Sequence, residues 1–294
     1  MGGTSRADLS SEIVSDPRDS GGIQFIQSYL HDFAATGVGL LLSFVFFVAL
    51  ESLFPREDAH VTMVARAKAL LFWLVNAAII VLIAYGMRWL MAPLEIRPIA
   101  PSLTAGLPGP LGVVVAVIAA AFIGDFFYYW CHRIQHRYFW RFHAVHHSVS
   151  EMNGLTGYHH FTEPLFEFVL VAAPLSLLTT SPYAIPVLAG LLGWQGAYEH
   201  SPTRLHFGPL GRYLVDNRFH RIHHSTDPRH FDKNFGIFTT LWDSVFGTAH
   251  FPAPDEWPAT GVAEMPEAET LGEFLLAPLR WRSAEVAGDL VGDA

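Results

Sequence analysis

Three stretches in the first half of the chain are almost purely apolar. Phe33 to Leu50 and Ala69 to Met87 carry no charged residue, and Leu111 to Cys131 carries one, Asp125. Each has the length of a membrane-crossing helix, since roughly 20 residues rising 1.5 Å apiece cover a hydrocarbon core of about 30 Å. A fourth apolar region, Leu165 to Tyr198, is interrupted by Pro174, Pro182 and Pro186. Proline ends helices and restricts the residue before it, so this region reads as two shorter helices joined near Ser181–Tyr183, a hairpin that returns to the side it left. The pattern predicts an all-α integral membrane protein with about four transmembrane helices. It divides the chain into a polar tail (1–32), three spans (33–131), a polar segment (132–164), the hairpin (165–200), a second polar segment (201–252) and an acidic tail (253–294).

Composition supports the membrane reading, with 51% hydrophobic and only 15% charged residues. The basic residues set an orientation. If the N-terminus lies outside the cytoplasm, only Arg6, Arg18, Arg88 and Arg97 of the 18 Lys and Arg fall on the outer side. The two polar segments then lie on the cytoplasmic face of an inner, cytoplasmic membrane. The tail lacks the basic-then-apolar layout of a secretory signal. A net charge of −9 argues against nucleic acid as a partner. The single cysteine, Cys131, excludes an intrachain disulfide and a cysteine-ligated cluster, and reads as a small buried residue. Leu271, Phe274, Leu275 and Leu279 form a short stripe suited either to the membrane surface or to packing on the domain.

The two polar segments carry the chemistry. Eight histidines form three clusters: His132 and His136; His143, His146 and His147; His220, His223 and His224. Residues at i, i+3 and i+4 share one helix face, so each cluster aims its imidazoles one way. Eight imidazoles exceed the needs of one ion and suit two. Spacing leaves zinc, copper, iron and nickel open. A site at the edge of a bilayer faces lipid, whose C–H bonds yield only to a strong oxidant, and this favours redox-active iron with dioxygen. Asp125 and Tyr129 continue the stripe of His132 and His136 at i, i+4, i+7 and i+11. Asp125 is expected to accept a hydrogen bond from a ligand imidazole or from Tyr129, or else to pack against a neighbouring span. His200 and His160, and more weakly His159, are candidates for extra ligands or orienting partners. His31, His60, His206, His230 and His250 read as surface or loop residues. Trp242 and Phe246, at i and i+4, read as core packing, and Asp243 reads as a helix cap.

The motifs H-x3-H (132–136) and H-x2-H-H (143–147 and 220–224), with Asn234-Phe235-Gly236 and Trp242-Asp243-Ser244-Val245-Phe246-Gly247-Thr248, resemble those of the fatty acid hydroxylase and sterol desaturase superfamily. The resemblance covers about residues 110 to 252. It implies a membrane-bound, non-haem di-iron oxygenase that hydroxylates or desaturates a lipid C–H bond. The two iron ions are held by a cytoplasmic histidine-rich helical domain. Dioxygen is the co-substrate, and electrons come from a separate cytochrome b5-, ferredoxin- or rubredoxin-type system. His200 matches a position where the family often carries another histidine. His160-Phe161-Thr162-Glu163 departs from the family's H-P-x-E at Phe161. The competing expectation is a histidine-rich membrane metal transporter or buffer, which would place ligands along the spans.

Overall fold

The apolar runs become the three longest helices of the computed structural model: α1 (Gly22–Leu53), α2 (Met63–Met91) and α3 (Gly109–Tyr138). The structure describes residues 22–57, 59–91, 109–178 and 184–280, and among them it is helical with no strand. Three segments, Gln24–Leu53, Met63–Met87 and Gly109–Tyr138, are long and apolar enough to cross a membrane. Val38, Leu42, Val45, Leu82, Val114 and Ile118 stand exposed on them, surface that only a lipid phase covers without cost. The chain is an integral membrane protein. Arg6, Arg18, Arg97 and Arg282, used in assigning its orientation, lie outside the described residues.

Helix α1 begins at Gly22, within the stretch expected to be a polar tail. Phe25, Tyr29 and Phe33 sit at i, i+4 and i+8 and stack along the helix at 6.5 and 6.4 Å. The Tyr29 hydroxyl donates to the Ala78 carbonyl on α2 at 3.0 Å, so the early turns dock on the second span. Helix α3 buries Gly112, Ala116, Ala120 and Gly124, small residues one turn apart that allow close approach, and then Asp125, Tyr129 and His132 on the same side. One stripe therefore serves span packing at one end and chemistry at the other.

The hairpin's first arm runs α5 (Glu163–Glu167), a π-helical turn (Phe168–Ala172) and α6 (Ala173–Leu178). Pro174 lies inside this arm, at the start of α6. The helix widens just before the proline ring, which would clash with a carbonyl of a regular α-helix. The second arm is α7 (Ala184–His200). The junction at Ser181–Tyr183 lies outside the described residues.

The lower ends of the spans converge. Arg56 N–H donates to the Pro202 carbonyl and Arg204 N–H to the Phe54 carbonyl, so the α1–α2 turn lies beside the end of α7. Buried Glu51 pairs with Arg66 and accepts the Gly154 N–H at 2.8 Å, tying the 149–158 loop to the first two spans. Below them lie α4 (Trp140–His147), α8 (Asn217–His223), α9 (Leu241–Phe246) and α10 (Leu271–Leu276). The apolar core joins Ala69 and Phe72 of α2 to Ala144 and Val145 of α4 and to Phe274 of α10. The 271–279 stripe thus packs on the domain: Phe274 stacks on Phe72 at 4.7 Å, while Leu276 and Leu279 stay exposed. Cys131 is buried.

Candidate metal centre

The ligand-bearing helices are short and held by ordinary local chemistry. Asp216 caps α8 by accepting the N–H groups of Arg218 and Phe219, which fixes the phase of His220, His223 and the following His224. Helix α4 follows α3 after one residue and presents His143, His146 and His147 to it. The imidazoles gather in two groups whose ligand atoms lie within 4.8 Å of one another: His132, His136, His143, His147 and His223, and then His146, His200, His220 and His224. All nine rings are wholly or mostly buried. The structure brings in His200 with the eight clustered histidines and gives five imidazoles and four, where four and four were expected. His160 stays apart: its Nδ1 faces Thr162 Oγ1 and its Nε2 faces the Leu275 carbonyl. His159 stacks on His146 at 4.0 Å.

Hydrogen bonds at the far ring nitrogens fix the near ones. Nδ1 of His132, His146, His200 and His223 faces the carbonyls of Phe235, Tyr158, Gly196 and Lys233, at 3.0, 3.1, 2.6 and 2.8 Å. A carbonyl only accepts, so each Nδ1 carries the proton and each Nε2 of a neutral ring is a bare lone pair. Yet Nε2 of His146 lies 3.3 Å from Nε2 of His200, and buried Nε2 of His223 has no hydrogen-bond partner. Two lone pairs at that distance repel unless a cation lies between them. Two nitrogens at 2.0–2.1 Å from a tetrahedral ion sit about 3.3 Å apart, so the spacing is that of co-ligands. Protonation is a poor substitute. Burial, reinforced by neighbouring imidazoles, pushes His143, His146, His147, His220, His223 and His224 well below the usual histidine range. The residues fit metal ions.

Carboxylates hold the frame. Buried Glu163 faces His143 Nδ1 at 2.7 Å and accepts from Gln135 Nε2 at 2.8 Å. Burial, then Glu167, pushes its carboxyl well above the usual range, a bias that a cation on His143 would offset. Asp232 lies 3.5 Å from His136 Nδ1. Buried Glu199 places Oε1 3.8 Å from His220 Nε2, and its other oxygen has no hydrogen-bond partner.

Asp125 does not meet an imidazole or Tyr129. It accepts the N–H groups of Ile237, Phe238 and Thr239 and the Thr239 hydroxyl, at 2.6 to 3.1 Å. Asp243 does not cap its helix either. It accepts the N–H groups of Phe235 and Gly236 and the Thr248 hydroxyl. Two buried carboxylates therefore grip five consecutive amides of the 235–239 loop, beside the Lys233 and Phe235 carbonyls that orient His223 and His132. A Cβ at Gly236 would collide with the Thr239 carbonyl. The Tyr129 hydroxyl meets Thr248 and Arg133, and its ring stacks on Phe246 at 5.2 Å. Trp242 packs on Phe122 and Phe126 of α3.

Residues 117–248 match the model of the fatty acid hydroxylase family. Over this stretch the chain is similar to the fatty acid hydroxylase family. It is 33% identical over 139 residues to the ornithine lipid hydroxylase OlsE of Rhizobium tropici, 46% of this chain and 42% of that one. It is 33% identical over 141 residues to human alkylglycerol monooxygenase, 47% of this chain and 31% of that one. The chain thus spans less than half the length of these two relatives. A zebrafish cholesterol 25-hydroxylase-like protein is 28% identical over 219 residues, 70% of this chain and 84% of that one. No solved structure matches. Every imidazole of the two groups lies inside the residues matched by the fatty acid hydroxylase model. Glu163 and Glu199 also lie there. Each stands next to or near a histidine in an apolar stretch, a signal that sequence reasoning took up for Asp125 alone.

Proposed function

We propose that this chain is a membrane-bound non-haem di-iron oxygenase that hydroxylates a C–H bond of an amphipathic lipid. The carrying observation is the convergence of nine imidazoles, four of them turned by backbone carbonyls so that Nε2 is a bare lone pair. The chemistry that two iron ions supply when bound is reductive activation of dioxygen: one oxygen atom enters the C–H bond, and the other leaves as water with two electrons and two protons. The chain's own residues hold the imidazoles in one tautomer, through backbone carbonyls and Glu163, and keep water out through burial. Relatives named for an ornithine lipid, an alkylglycerol and cholesterol favour hydroxylation of a lipid with a polar head. The histidine groups lie at the lower ends of α3 and α7, where the basic residues cluster, and this favours the cytoplasmic face. Electrons come from a separate carrier protein, which meets the arginines around the centre. Expression of the wild type and a His146→Ala variant in one host, followed by mass spectrometry of lipid extracts, tests the reading. A lipid class that gains one oxygen only with the wild type is expected. Identical extracts would overturn it.

A further inference from the structure

A second constellation of metal-ligating side chains lies away from the nine imidazoles. His230, read from sequence as a surface or loop residue, has a side chain only 2% exposed, and His250 lies beside it with ring centroids 4.6 Å apart. Both aim Nε2 at one carboxylate. His230 Nε2 is 3.1 Å from Glu256 Oε1, and His250 Nε2 is 3.3 Å from Glu256 Oε2. These are again the separations of co-ligands around a tetrahedral ion, about 3.3 Å.

The three side chains are held on fixed pieces of chain. His230 ends a 3-10 turn, Pro228–His230, capped by Asp227, and its Nδ1 lies 2.9 Å from Ser225 Oγ. The backbone of His250 is clamped on both sides by the Asn234 side chain, at 2.7 and 2.9 Å. Glu256 closes a turn with Ala253, whose N–H also donates to Glu256 Oε2. His250 and Glu256 keep a third and a fifth of their side-chain surface, so the cluster opens to solvent on one side. Both lie outside residues 117–248, the part matched by the family model.

We propose that His230, His250 and Glu256 form a mononuclear site for a borderline divalent cation of the zinc class, with water as the fourth ligand. Two imidazoles and one carboxylate with an open position form an ordinary zinc donor set. With Nε2 on the ion the ring proton of a ligating histidine sits on Nδ1, and that of His230 donates to Ser225 Oγ. That arrangement is the usual orienting contact of a metal-bound histidine. The bound ion staples the 225–230 turn, which follows His224, to the 250–256 loop. It takes no part in electron transfer and stands independently of the lipid reading.

The test uses the full chain in detergent micelles, purified from zinc-supplemented cells, with metals counted per chain by plasma mass spectrometry. His250→Ala and Glu256→Gln should each carry about one zinc fewer than the wild type, and the iron content should be unchanged. Zinc-edge X-ray absorption of the wild type needs no variant and should show oxygen as well as imidazole ligands. Equal zinc counts in all three proteins, or an all-imidazole zinc shell, would overturn the proposal.

Discussion

The two histidine clusters differ in what a proton can do for them. In the His230–His250–Glu256 cluster each Nε2 faces a carboxylate oxygen, so imidazoles that carry a proton there are satisfied as donors without a cation. In the larger centre His132, His146, His200 and His223 are turned by carbonyls so that Nε2 can only accept; the first three face other imidazole nitrogens and the last has no hydrogen-bond partner. The first arrangement tolerates metal, whereas the second needs it. Burying bare lone pairs against one another costs stability that only positive charge restores. Ligation is therefore legible less in the number of histidines than in which ring nitrogen the backbone claims.

The comparison can be broken most severely at the large centre. His146→Ala removes a lone pair from the four-imidazole group and is expected to abolish lipid oxidation and to lower bound iron. Stripping iron from the wild type should lower its Tm in detergent far more than stripping zinc alone. Equal losses would erase the distinction between the two clusters.

Next in size is the loop that supplies the carbonyls. Asp125→Ala leaves three N–H groups, one buried and two half-buried, and a hydroxyl without their acceptor and should cost about 3 kcal/mol in chemical unfolding. Iron occupancy should fall with it, because the Phe235 and Lys233 carbonyls lose their fixed position. Unchanged occupancy in a folded Asp125→Ala protein would show that the imidazoles orient themselves.

A smaller effect is expected at Glu163→Gln, which keeps the shape but removes the charge beside His143. Iron affinity should weaken by about 10–100-fold, with oxidation recovering at saturating iron. Failure to recover would give Glu163 a role in the reaction itself.

The smallest effect lies outside both clusters. Glu267 accepts from Ser150 and pairs with Lys68. Burial pushes its carboxyl up, but these contacts outweigh burial and hold it below the ordinary value of 4.5. A depressed carboxyl stabilises the fold fully above its unfolded pKa and loses that contribution as pH falls through the folded one. Wild-type Tm should therefore drop more steeply below about pH 4.5 than that of Glu267→Gln, by less than about 1 kcal/mol. Parallel pH profiles would show that the Lys68–Glu267 pair adds nothing to stability.

Much of this was legible in the chain. Apolar runs of the right length, with one charge among them, announced the three spans, because a bilayer accepts little else. Spacing at i, i+3 and i+4 announced the ligand faces, because helix periodicity leaves few alternatives. The partners of Asp125 and Asp243 were not legible. Backbone amides carry no sequence signature, and a loop more than 100 positions away supplies those of Asp125. The exclusion of His160 was equally hidden, since it depends on Thr162 and the Leu275 carbonyl claiming both ring nitrogens. The burial of His230 followed from the 250–256 loop closing over it, a contact between segments that share no periodicity.

Helix α4 gives His143 and His147 to one group and His146 to the other, and the 220–224 turn divides in the same way, with His223 on one side and His220 and His224 on the other. Neither group has α4 or the 220–224 turn to itself. A rotation of α4 that improves one nest spoils its twin, so the pair should fill together and be lost together. Evolution can retune such a centre only through residues that touch both halves at once.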